Sequence, residues 1–139
     1  MELRRKNINR GFTKLRVWED SIELFDFVFK IIDKKEFPDS LFKVKSNILD
    51  ASHSVSRNIS EGYCRRNLKE YLNFLNISLG SMGELFSGML SLKKIKVIND
   101  AELDKFDEIH FKTENGLISL IKSLQKKQKE GNWQSSFIE

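Results

Sequence analysis

His110 and Glu114 stand four residues apart, one helical turn, which is how a two-ligand start to a metal site is spaced. No third ligand follows at a matching interval, and His110 falls within an apolar stripe. It therefore reads as a core histidine satisfied by a hydrogen bond. His53 belongs to a different predicted helix. Cys64 precedes Arg65 and Arg66, cations that can lower a thiol pKa, but no partnered His and Asp accompany it in a nucleophile pattern. Asn58, Glu61, Arg65 and Arg66 could form an acid–base set. They read better as a hydrogen-bonded cluster fixing a turn, with Gly62 as the left-handed residue ending a helix. No glycine-rich phosphate loop occurs. The expectation is no catalytic residue, no cofactor and no metal: a protein that is not an enzyme.

The chemistry that remains is charge. An N-terminal arm carries Arg4, Arg5, Lys6, Arg10, Lys14 and Arg16 against Glu2 alone. Arg57, Arg65, Arg66 and Lys69 form a second group, and Lys93, Lys94 and Lys96 a third. Such groups can neutralise phosphates and release counterions, giving salt-sensitive binding of RNA or DNA without sequence readout. The competing reading is ordinary solubility and helix-end electrostatics, since the formal net charge is only +4. Tyr63, Tyr71 and Phe74 lie near the second group and read as core or interface aromatics, though they could stack on bases. Trp18 reads as a core anchor.

These residues need rods to hold them. Trp18, Ile22, Phe25, Phe29 and Ile32 step by 4, 3, 4 and 3, one face of a first helix over about 15–35. Pro38 stops it. Asp39 can cap a second helix over about 39–61, with Leu41, Val44, Ile48, Ala51 and Val55 on its inner face. Asn67 and Glu70 form a capping-box-like pair before a third helix, about 67–94, whose seam runs Leu68, Leu72, Leu75, Leu79, Met82, Phe86 and Met89. Asn99 and Glu102 repeat the box before a fourth, about 100–129. Acidic residues crowd its start and lysines its end, as the helix dipole favours. Short connections between four long helices predict an all-α up-down-up-down four-helix bundle, a single domain over 1–139 with a basic arm (1–14) and a C-terminal tail (130–139) that frays unless a partner holds Trp133 or Phe137.

Gly80, Gly83 and Ser87 place small side chains along one face of the third helix, with Glu84 beside them. Glycine inside a helix costs about 1 kcal/mol relative to alanine, so its repetition asks for a packing reason. Close packing within the bundle is one answer and a subunit interface the other. The first helix adds Phe25, Phe27, Val28, Phe29, Ile31 and Ile32, more apolar surface than one seam covers, which predicts self-association. A lone cysteine forms no internal disulfide, and no apolar run is long enough for a membrane span. A cytoplasmic location is expected.

The order Phe12, Leu15, Val17-Trp18, Phe37-Pro38, Ser54-Val55, Asn58-Ile59, Glu61-Gly62-Tyr63, Arg65-Arg66, Glu70, Phe74-Leu75, Leu79-Gly80-Ser81 and Glu84-Leu85 resembles the four-helix-bundle proteins encoded in intervening sequences of bacterial 23S ribosomal RNA genes. Ser56 stands where relatives often have proline, and Lys96-Val97 where they often place glycine and an aromatic. The resemblance implies a left-handed up-down-up-down four-helix bundle that assembles as a ring-shaped homopentamer, and no established enzymatic activity. The chain is also distantly similar to accessory variability proteins of retroelements, basic pentamers that bind nucleic acid and a reverse transcriptase. Two functions follow as expectations: a homo-oligomer binding nucleic acid or a ribonucleoprotein through its basic clusters, or a structural scaffold that binds only protein.

Overall fold

The computed structural model describes residues 3–131. Among them there is no strand. Four long helices, α1 (Arg16–Asp33), α2 (Phe42–Cys64), α3 (Leu68–Lys94) and α4 (Asp100–Glu130), are accompanied by 3-10 segments at Ile8–Lys14 and Asp39–Leu41. Trp133 and Phe137 lie outside the described residues. Each long helix packs on two others: α1 on α2 and α4, α3 on α2 and α4. Contacts climb one helix as they descend its neighbour. Along α2 and α3 they pass from Gly62 against Phe74, through Ser54 on Ser81, to Ile48 against Gly88. Phe106, Leu24, Ile59, Leu75 and Met89 are among the large side chains sealed in the centre.

The helix ends obey local chemistry, with corrections. Asn99 makes the expected full capping box: its side chain accepts from the Glu102 N–H at 2.8 Å, and the Glu102 carboxylate accepts from the Asn99 N–H at 3.0 Å. At Asn67 only half the box forms, accepting from the Glu70 N–H at 3.0 Å, because the Glu70 carboxylate turns to Arg65 instead. Asp39 does not cap α2. A 3-10 turn precedes that helix, and neither of its starts has a side-chain cap. Helix α3 ends on Lys96 in the left-handed region (φ 67°), with the Val97 N–H reaching back to the Leu92 carbonyl at 2.9 Å. Helix α4 ends on left-handed Gly131.

Two sequence expectations about faces are revised. The stripe expected to be the inner face of α1 is inward only in part: Ile32 is sealed and Trp18 and Phe25 are half-buried, but Ile22 and Phe29 are exposed, while the adjacent stripe of Val17, Leu24, Val28 and Ile31 points inward throughout. Both stripes keep helical spacing, one residue apart, so periodicity alone does not choose between them. Nor do Gly80 and Gly83 pack inside the chain. No atom lies within 4 Å of where their Cβ would stand, and Glu84 and Ser87 are exposed beside them. The close approach uses other small residues. Ser54 Oγ and Ser81 Oγ share a hydrogen bond of 2.9 Å, Ser78 Oγ donates to the Val55 carbonyl at 2.9 Å, and a Cβ on Gly88 would stand 2.7 Å from Ile48 Cγ1. Pairing the buried hydroxyls removes the cost of stripping them of water.

Candidate nucleic-acid interface

The chain from Leu3 to Lys14 folds back over the end of α2. Asn7 starts the 3-10 segment by accepting from the Asn9 N–H at 3.0 Å, and the segment buries none of its own residues. It is fastened from outside. Arg66 donates to the Ile8 carbonyl at 2.8 Å, and the Cys64 thiol donates to the Asn9 carbonyl at 3.2 Å. Phe12 packs edge-on between Trp18 and Tyr63, with ring centroids 5.4 and 6.1 Å away. Tyr63 lies so close against Gly11 that a side chain there would overlap its ring.

This docking joins two basic groups that sequence keeps about fifty residues apart. Arg4, Arg5, Lys6, Arg10, Lys14 and Arg16 are all exposed. Among the described residues, no carboxylate stands within ion-pair distance of any of them. Arg10 donates to the Arg5 carbonyl at 3.3 Å, bracing the arm on itself. Lys69 is exposed on the first turn of α3, beyond the loop.

Of the third group, Lys93 pairs with Asp100 at 2.9 Å while Lys94 and Lys96 are exposed, and the arginines of the second group are engaged. Arg65 pairs with Glu61 at 2.9 Å and Glu70 at 3.5 Å, and its guanidinium lies 5.2 Å from the Phe74 ring centre. Arg57 pairs with Asp50 at 3.4 Å and contacts His53 Nδ1 at 3.3 Å. Arg66 sits 4.7 Å over the Tyr63 ring while it ties down the arm. It does so from a left-handed backbone (φ 59°), a conformation costly for any residue with a Cβ. Arg66 is therefore a strap.

The expected turn cluster separates into three parts. Glu61, Arg65 and Glu70 bridge the α2–α3 loop. Asn58 instead donates back to the Ser54 carbonyl and hydroxyl at 2.8 and 2.9 Å, joining the serine contact between α2 and α3. Gly62 is not the left-handed terminator, since α2 runs on to Cys64 and the left-handed residue is Arg66. Gly62 is needed for space: a Cβ there would stand 2.8 Å from Phe74 Cβ and 3.2 Å from the Tyr71 carbonyl oxygen.

Cys64, Tyr71 and His110 are held in structural contacts. Burial pushes the Cys64 thiol up, outweighing the nearby Arg66 charge, so the activation expected from its arginine neighbours does not arise. Burial, with Tyr63 adding to it, also pushes the Tyr71 hydroxyl above its ordinary value. His110 Nε2 donates to the Met82 carbonyl at 2.8 Å between Phe86 and Phe106, a core histidine as its spacing suggests. Among the described residues, no group of three His, Cys, Asp or Glu could hold a metal. None of the described helices is long and apolar enough to cross a membrane.

The sequence model of the family described as 23S rRNA-intervening sequence protein matches residues 13–119, well over half the chain. The chain belongs to that family. No curated protein matches it. The family match begins at Thr13, so most of the basic arm lies ahead of it, whereas the serine contact and the α2–α3 loop lie inside. Sequence reasoning named the arm and the loop but did not join them. Gly11 was the available signal, a residue without a side chain opposite an aromatic, but nothing in the sequence names its partner.

Proposed function

We propose that this member of the 23S rRNA-intervening sequence protein family is a non-enzymatic, homo-oligomeric nucleic-acid-binding protein. Its binding surface is the arm, which the α2–α3 loop holds in place through Arg66. One observation carries the reading: the strapped arm gathers Arg5, Lys6, Arg10 and Lys14 around one open cavity, with exposed Arg4 next in the chain and no carboxylate in pairing distance of these cations among the described residues. Exposed like charges held together repel one another, and a polyphosphate backbone relieves that repulsion while releasing counterions. The helices are read as a left-handed up-down-up-down four-helix bundle, supported by their cyclic packing. Resemblance to the family's ring assemblies suggests a pentamer, in which each basic surface would be repeated and weak contacts would add up. The lone Cys64, with no internal disulfide partner, suits a cytoplasmic setting.

Filter binding of RNA and of DNA across a salt series tests this. Binding should weaken steeply with salt. Reversing Arg4, Arg5, Lys6 and Arg10 to glutamate should flatten the log–log slope by about 0.7 to 0.9 for each phosphate that is no longer neutralised. Absence of retention at low salt would sink the reading. The scaffold alternative draws on the outer face of α3, where Ile77 and Leu90 are exposed along with Gly80 and Gly83. It predicts an oligomer that retains neither RNA nor DNA, at low salt as at high.

A further inference from the structure

Between the arm and the start of α1 lies an open cavity of about 1020 Å³. This matches the upper end of the about 300–1,000 Å³ usual for small-molecule sites, with room for more than one nucleotide unit. Four exposed cations, Arg5, Lys6, Arg10 and Lys14, line it from the arm side. Half-buried Trp18 lines it from the helix side, next to Ile22. Ile8 and Ile22, both on the wall, are among the exposed large apolar side chains of the protein.

We propose that this cavity is a binding site for a single-stranded nucleic-acid segment, with phosphates on the arm cations and an unstacked base on Trp18. The proposal rests on the nucleic-acid reading above and narrows it to one place and one kind of strand. Cations on one wall and a large ring on the other match the two halves of a nucleotide. Tyr63 is the other aromatic in the lining, but it is occupied by Arg66 over its ring and by Phe12 and Tyr71 edge-on. Among the described residues, Trp18 has one aromatic neighbour, Phe12. Glu19, the carboxylate in the lining, stands one residue past Trp18 and repels phosphate from that wall. The backbone is thereby directed to the arm and the base to the helix. A duplex keeps its bases stacked and paired, so it cannot deliver one to a recessed ring.

The test uses the full chain with Trp133→Phe, leaving Trp18 as the one tryptophan. A single-stranded RNA decamer, the DNA decamer of the same sequence, a blunt RNA duplex, AMP and inorganic phosphate are titrated while tryptophan emission is followed. Both single strands should quench Trp18, and Lys14→Glu with Arg10→Glu should weaken that quenching at least tenfold. Trp18→Leu, checked for helicity by circular dichroism, should lose about tenfold in filter-binding affinity for single strands, as expected for one stacked base. If Trp18→Leu does not fold, the quenching and the arm variants decide. Retention of strands with no change in Trp18 emission would overturn the cavity and leave the broader reading standing. Equal quenching by the duplex, or by AMP at similar concentration, would overturn the single-strand assignment. Failure of every nucleic acid to bind at low salt would remove the broader reading itself.

Discussion

Glu102 does two jobs with one carboxylate. It closes the capping box of α4 and accepts from Lys35, just past the end of α1, with both carboxylate oxygens 2.9 Å from Nζ. Burial pushes this carboxyl up, but the Lys35 hydrogen bond, the Asn99 N–H and the charges of Lys35 and Lys34 outweigh it and hold it below its ordinary 4.5. A carboxyl held low when folded stabilises the fold above its unfolded value and loses that contribution as pH falls through the folded one. Lys35→Met should therefore lower the melting temperature at pH 7. The gap from wild type should close as the pH drops from about 4.5 downward. Melts at pH 7, 5, 4 and 3 check it, and a gap that stays constant down to pH 3 would disprove the linkage.

At the scale of elements, helices α2 and α3 depend on where Cβ atoms are missing. Gly62→Ala should cost about 1–3 kcal/mol, because the new methyl meets backbone-anchored atoms that cannot swing away. Gly80→Ala meets nothing, and at concentrations where the chain is monomeric it should gain about 1 kcal/mol from helix propensity. Urea melts of the pair should differ in sign; equal signs would refute this account of the two glycines. Lys96 ends α3 in the left-handed region, where the Cβ costs roughly 1–2 kcal/mol. Lys96→Gly should raise stability by about 1 kcal/mol, or ~3–4 °C, by thermal melt. The same change at Arg66 would remove the strap on Ile8 along with the strain, so no comparable gain is expected there.

For the whole molecule, apolar side chains remain outside on several elements: Phe29 on α1, Phe42 at the start of α2, Ile77 and Leu90 on α3, Phe111 on α4. Single exposed apolar residues are ordinary, but Ile77 and Leu90 flank, one on each side, a strip of α3 with two glycines that no described residue covers. If a second copy covers that face, Ile77→Asp should reduce the mass measured by light scattering while leaving the helical circular dichroism intact. An unchanged mass would remove α3 from the assembly surface. The basic arm is at a different place, so its charge reversals should leave that mass alone.

Helical spacing and end chemistry were readable from the chain by itself. Period, proline and capping pairs act over a few residues, so the extent of α3 and α4, the full box at Asn99 and the core role of His110 follow from neighbours in sequence. Three matters needed the folded chain: which of two adjacent stripes on α1 faces inward, which small residues lie between α2 and α3, and what the arm rests on. Each depends on atoms distant in sequence, such as Ser81 opposite Ser54 or Tyr63 against Gly11. A residue type records what it can do; only its neighbours in space decide whether Arg66 meets a phosphate or holds down a loop.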